Sequence, residues 1–324
     1  MKILLTHSPE AFELYYGARA LKSLQQAGEV KRHQGSQPLE GEALIKAAQD
    51  CDLIVSYRQS PAPAGLFERL PKLIAFQRCA IDIRNVDVTA ASKHGVLVTQ
   101  ASAGFITSVS ELVIGFMVDL SRGITRSAHL YHHGRVPQAS MGRELKGSTL
   151  GVIGYGAIGK EVTRIGKALG MRVLVNDPYQ QIEQVPLDKL LRESDYVVPL
   201  AVATAETENL IGKDALAKMK DGACLINVSR GNLVDEAALE AALDSGKLGG
   251  VAMDVGRAPD QMPTPRLAAR DDVIATPHTA GLTVPAIEHQ SMETAAQAQE
   301  IVQGRAPKGA VNAQAWTRKR LLEK

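Results

Sequence analysis

A chain of 324 residues is longer than a single hydrophobic core usually supports, and 45% hydrophobic and 22% charged residues are the composition of an ordinary globular protein with two domains. A net charge of +2, with Lys and Arg scattered among Asp and Glu, argues against a nucleic-acid partner; the basic cluster Arg318 to Arg320 reads as a solvated C-terminal tail. The opening MKILLTH is too short for a signal peptide and no stretch is long enough to span a bilayer, so no membrane partner and a cytoplasmic location are expected. Cys51, Cys79 and Cys224 are widely spaced, with no CxxC pair, and indicate neither a disulfide framework nor a metal site.

Short apolar runs alternate with amphipathic stretches, the pattern of an α/β chain with doubly wound parallel sheets. In the first hundred residues, strands are expected at Lys2 to Leu5, Asp52 to Tyr57, Leu73 to Phe76 and Val96 to Thr99, with a helix from Phe12 to Ala27. A helix apolar on all faces follows from Ser108 to Leu120, opened by the capping box Ser108-x-x-Glu111 and expected to be buried throughout. Six further strands follow, at Leu150 to Ile153, Arg172 to Val175, Tyr196 to Leu200, Ala223 to Val228, Gly250 to Val255 and Val273 to Ala275, the count of a full dinucleotide-binding sheet. Beyond Pro285 only a helix, Ala286 to Val302, and a polar tail remain. Adjacent His132 and His133 point to different helix faces, lack ligand-spaced partners and read as surface residues.

Gly154, Gly156 and Gly159 form a GxGxxG pattern between a strand and the helix Ala157 to Leu169. In that setting the first glycine permits a tight turn, the second lets the backbone approach a pyrophosphate, and the third lets helix and strand pack closely. The next strand ends at Asp177, where a carboxylate accepts hydrogen bonds from adenosine ribose hydroxyls and disfavours a 2′-phosphate, which selects NAD over NADP. The competing reading of Asp177 is the start of the Asp177-Pro178 turn.

Four ordered segments resemble the D-2-hydroxyacid dehydrogenase family: this glycine loop, Met219 to Glu236, Gly250 to Val255, and Thr276-Pro-His-Thr-Ala-Gly281. A weaker N-terminal match runs through Asn85-Val-Asp87, Ala90-Ala91 and Gly95. The resemblance implies two Rossmann-like domains: a discontinuous substrate-binding domain, 1–99 with 285–324, around an NAD-binding domain, 100–284. It also implies a homodimer that uses NAD to move a hydride to or from the 2-carbon of a small 2-hydroxy or 2-oxo acid. By the same resemblance Arg230 binds the substrate and His278 is the general acid/base. Ala157, Ile158, Val228, Ser229, Asp254 and Gly281 join Gly154, Gly156, Gly159 and Asp177 as cofactor-binding positions. A guanidinium fork holds planar oxygens, and imidazole gives or takes a proton near neutral pH. Singly, Arg230 also reads as a turn salt bridge, His278 as a satisfied loop histidine, and Asp254 as a strand-end carboxylate capping a turn.

The chain departs from the family at three places. Where the family pairs a glutamate with the histidine, this chain has Pro259; Asp260, one residue on, either takes over that catalytic role or is a solvated turn residue. Where the family has a glycine-rich loop for the substrate carboxylate, this chain reads Gln77-Arg-Cys-Ala-Ile-Asp-Ile-Arg84. Arg78, Ala80, Ile81, Asp82 and Arg84 are the substrate-binding candidates there; either Arg78 or Arg84 takes the carboxylate, or Asp82 pairs with one of them structurally. Leu200 and Phe105 replace a common histidine and a small polar residue. Two other functions stay open on these departures: an NAD-sensing interaction protein with little turnover, and a dehydrogenase of a different oxyanion.

Overall fold

The apolar runs form two parallel sheets in the computed structural model, which describes residues 1–323. The chain divides into two compact units, residues 1–105 with 282–324, and residues 106–281. These boundaries lie at 105 and 282, where 99 and 285 were expected.

In the first unit, β1 (Lys2–Leu5), β2 (Glu29–Arg32), β3 (Leu53–Ser56), β4 (Ala75–Arg78) and β5 (Leu97–Gln100) are ordered β2-β1-β3-β4-β5. Alternate residues serve opposite faces. Ile3, Leu5, Leu53, Val55 and Leu97 pack with Ala295, Ala298 and Ile301 of the helix Val284–Val302, while Leu4, Ile54, Phe76 and Val98 pack with Leu44, Leu66 and Phe67. Both faces are covered, which is why the strands read as continuous apolar runs. β2 was not expected from the sequence. It is an edge strand whose Glu29, Lys31 and Arg32 are exposed or half-buried, the charged composition that protects a sheet edge.

The expected helix Phe12 to Ala27 is two helices, Pro9–Tyr15 and Ala18–Leu24, because Gly17 takes a left-handed φ of +86° between them. The tail is not solvated as expected. Trp316 is buried, its indole N–H donating to the Ile74 carbonyl at 3.2 Å, and Arg318 donates to the carbonyls of Leu70 and Leu73 at 2.6 and 2.9 Å.

In the second unit, β6 (Thr149–Ile153), β7 (Arg172–Asn176), β8 (Tyr196–Pro199), β9 (Ala223–Asn227), β10 (Leu248–Met253) and β11 (Val273–Ala275) are ordered β11-β10-β9-β8-β6-β7. The chain reverses direction across the sheet at β6, which places a topological switch point, and with it a ligand crevice, at that strand's carboxyl end. The long apolar helix is Ile106–Arg122, so Ser108 lies inside its first turn rather than capping it. Nor is it buried all round: Val109, Val113, Phe116 and Met117 form its buried stripe, while Glu111 and Gly115 are exposed. Among the described residues no helix is long and apolar enough to cross a membrane, and no cluster of His, Cys, Asp or Glu could hold a metal ion.

One core group of the first unit titrates far from its usual range. His7 is fully buried against the rings of Tyr16 and Tyr57, at 5.0 and 5.2 Å, and burial, with the Arg78 guanidinium second, pushes its pKa from 6.5 down to about 3. The unfolded chain therefore binds a proton below its ordinary histidine pKa that the folded chain refuses. Stability from this group is complete above 6.5 and is lost as pH falls towards 3. His7→Phe should flatten the decline of the urea midpoint over that window relative to the parent protein; parallel declines would show that His7 does not contribute to it.

Candidate active site

The carboxyl edge of the six-stranded sheet begins with the glycine loop after β6. Gly154 has φ +100°, and a Cβ there would lie 2.6 Å from the Ala201 nitrogen; one on Gly159 would lie 2.1 Å from the Gly154 carbonyl oxygen. Both positions are closed to side chains. Gly156 differs: nothing lies within 4 Å of where its Cβ would be. It is exposed at the N-cap of the helix Ala157–Ala168, makes no side-chain cap, and is followed by exposed Ala157 and half-buried Ile158. An open helix N-terminus under a bare backbone fits a dinucleotide pyrophosphate. Beyond β7, the Asp177 carboxylate accepts from the Tyr155 N–H at 2.7 Å and the Tyr179 N–H at 2.9 Å. It thus ties the glycine loop to the end of β7, and each oxygen keeps a second lone pair for a ribose hydroxyl.

β9, β10 and β11 end in register, Asn227 beside Met253 and Met253 beside Ala275, so the segments 228–231, 254–262 and 276–281 leave the sheet side by side. Buried Asn227 holds the first of these turns, donating to the Arg230 carbonyl at 2.9 Å and accepting from the Ser229 N–H at 3.1 Å. The half-buried Arg230 guanidinium donates to the Ser229 carbonyl at 2.7 Å. Val228 is buried, and the Ser229 hydroxyl reaches the Ala201 carbonyl at 3.3 Å, linking the ends of β8 and β9. A Cβ on Gly231 would lie 2.1 Å from the Gly256 carbonyl oxygen, so the first two segments touch backbone to backbone. Sequence reasoning passed over this contact, which requires glycine at 231.

Asp254 is fully buried. Its carboxylate accepts from the Thr276 hydroxyl at 2.5 Å, the Thr279 N–H at 2.8 Å and the Ala280 N–H at 2.9 Å. These bonds favour the turn-capping reading over a cofactor contact: Asp254 anchors the segment that carries His278 and ends at half-buried Gly281. The His278 N–H donates to the Asp254 carbonyl at 3.0 Å, and the residue takes a left-handed φ of +55°. Its ring Nδ1 lies 2.6 Å from the Asp260 main-chain carbonyl. The main chain of residue 260 thus accepts a hydrogen bond from the ring.

In the first unit the end of β4 and the loop after it carry Arg78, Ala80, Ile81, Asp82 and Arg84, and both arginines are engaged within the unit. Arg78 is fully buried and donates to the carbonyls of Tyr57 and Ser60 and to the Asn85 side-chain oxygen at 2.6 Å. Burial pulls its pKa down to about 10, so it stays charged at neutral pH and holds the loops after β3 and β4 together. Exposed Arg84 grips Asp82, its Nε 2.9 and 3.0 Å from the two oxygens and its Nη2 2.5 Å from Oδ2. Of the two alternatives for this loop, structural pairing with Asp82 is the one adopted. Ala80 and Ile81 are half-buried beside it.

A helix N-terminus open to a dinucleotide, with Arg230 and His278 on the same sheet edge, is the arrangement of a nicotinamide-dependent oxidoreductase. Residues 114–280 match the family described as D-isomer specific 2-hydroxyacid dehydrogenase, NAD binding domain, and the chain belongs to that family. It is similar to a glyoxylate reductase of Korarchaeum cryptofilum, 32% identical over 275 residues that cover 81% of this chain and 83% of the relative. A hydroxypyruvate reductase of Thermotoga maritima is 33% identical over 266 residues, 80% and 87% of the two chains. The structure superposes on D-lactate dehydrogenase from Aquifex aeolicus, complexed with NAD and lactic acid, with a TM-score of 0.79 and 26% identity, covering 96% of this chain and 99% of that one. The protein is thus an NAD-dependent dehydrogenase that transfers a hydride between NAD(H) and a 2-hydroxy or 2-oxo acid.

Asp177 should set the cofactor preference. NADH should bind more tightly than NADPH, and Asp177→Ala should weaken NADH by about 10- to 100-fold, the worth of charge-assisted hydrogen bonds, while narrowing the discrimination. Fluorescence titration measures both; tighter NADPH binding by the parent protein would remove Asp177 from this role.

Proposed function

We propose that Arg230 holds the carboxylate of a small 2-oxo acid and that His278 delivers the proton as the 2-carbon is reduced. The observation that carries this reading is the bond from His278 Nδ1 to the Asp260 carbonyl. A carbonyl only accepts, so Nδ1 carries the hydrogen and Nε2 is left as the atom that exchanges a proton. NADH, when bound, supplies the hydride. The Nε2–H of the imidazolium then protonates the oxygen that becomes the hydroxyl, and the Arg230 fork binds the planar carboxylate and stabilises charge developing on the carbonyl oxygen. Arg78 and Arg84 are engaged within the first unit, which leaves Ala80 and Ile81 as the substrate-binding candidates of its loop. Glyoxylate and hydroxypyruvate, named by the two similar reductases, are the first substrates to try.

The helix Ile124–His132 contributes no buried residue, and Ile124, Tyr131, Val136 and Met141 of this region are exposed. Such a patch supports a homodimer that covers it. Three free, buried cysteines suit a reducing, cytoplasmic setting.

Loss of nicotinamide absorbance with a panel of 2-oxo acids tests the activity. Arg230→Lys keeps the charge but loses the fork; it should lower kcat/KM by about 100-fold while NADH affinity stays within about twofold. Near-normal turnover by that variant would assign the carboxylate to another group.

A further inference from the structure

The segment 254–262 is held in a way that its own sequence does not announce. The Gly256 N–H donates to the Gln261 carbonyl at 2.8 Å and the Ala258 N–H to the Met262 carbonyl at 3.0 Å, closing a tight turn. Asp260 and Gln261, at its tip, both lie in the left-handed region, with φ of +56° and +57°. This conformation is costly for residues other than glycine, least so for Asp and Asn, and persists only where surrounding contacts enforce it.

Arg257 fastens the start of this turn to neighbouring segments. Its guanidinium donates to Glu208 at 2.8 Å, to the Asn209 side-chain oxygen at 2.5 Å, and to the carbonyls of Asn232 and Val234, both at 3.2 Å. Its main-chain N–H donates to Glu236 at 3.1 Å. Hydrogen bonds from Asn232 and Arg257 hold the Glu208 carboxyl below its usual range. The 232–234 backbone that Arg257 grips begins two residues after Arg230, and Gly231 abuts Gly256. One side chain thus fastens the 256–262 turn to the segment that carries Arg230.

We infer that Arg257 and the left-handed Asp260 are positioning residues: the Arg257 clamp fixes the turn, and the Asp260 main-chain carbonyl, not its carboxylate, holds Nδ1–H of His278 and commits Nε2 to proton transfer. This rests on His278 being the acid/base group. A carbonyl acceptor orients the ring and selects one tautomer.

The test compares variants of the whole enzyme by 15N NMR of the imidazole and by steady-state kinetics. Asp260→Asn and Asp260→Gly tolerate the left-handed backbone and should keep the Nδ1–H tautomer in the neutral ring. Asp260→Val strains that backbone, and Arg257→Met removes the clamp; both should shift the ring towards the Nε2–H form. With them kcat should fall about tenfold or more below that of Asp260→Asn, as expected for a misplaced reacting group, while NADH affinity is kept. A loss in Asp260→Asn equal to that in Asp260→Val would make the carboxylate the working group and overturn the inference. An unchanged tautomer and kcat in Arg257→Met would overturn the clamp. If Asp260→Val or Arg257→Met does not fold, loss of the Nδ1–H tautomer in Asp260→Gly or Asp260→Asn is still a contradiction. Turnover retained by His278→Asn would instead sink the acid/base reading, and the tautomer measurement would remain valid.

Discussion

The Asp254 carboxylate lies with no exposure at the end of β10, the strand between those that lead to Arg230 and His278. A carboxyl group so placed costs several kcal/mol unless its oxygens are engaged. Its partners are the Thr276 hydroxyl and the Thr279 and Ala280 N–H groups, which flank His278 on both sides. The histidine segment therefore cannot peel away without leaving buried carboxyl oxygens unpaired, and the same bonds flank the left-handed backbone at His278.

From that anchor the rest of the reactive edge follows by contact. The register of β9, β10 and β11 sets three segments side by side, the Gly231 to Gly256 approach locks two of them, and the third supplies the imidazole. The cofactor cradle stands farther along the same edge, at the switch point beside β6, where Gly154 packs on the end of β8. Both therefore belong to one sheet edge, the placement that the proposed hydride and proton transfer require.

Much of this was legible in the sequence because it rests on local chemistry. Apolar periodicity located most of the strands, and the glycine spacing marked the turn after β6, where Gly154 and Gly159 have no room for a Cβ and Gly156 stands open at the helix N-terminus. What could not be read depends on main-chain direction or on partners distant in sequence. Asp260 drew attention for its side chain, whereas the bond to His278 comes from its carbonyl, whose direction is set by a positive φ. Arg78 and Arg84 looked alike as cations; only the fold shows one buried under three loop oxygens and the other paired with Asp82. Arg257 carried no signal, because Glu208, Asn209 and Glu236 lie 21 to 49 residues away along the chain. The tail looked solvated because the cavity that receives Trp316 is built by β4, β5 and the final helix.

A crystal structure of the ternary complex with NADH and oxamate, an unreactive 2-oxo acid analogue, decides which groups face the substrate. The account predicts the oxamate carboxylate in the fork of Arg230, its carbonyl oxygen within hydrogen-bond reach of His278 Nε2, and the Asp260 carbonyl still on Nδ1. Oxamate held by other groups, or His278 turned so that Nδ1 faces the ligand, would contradict it.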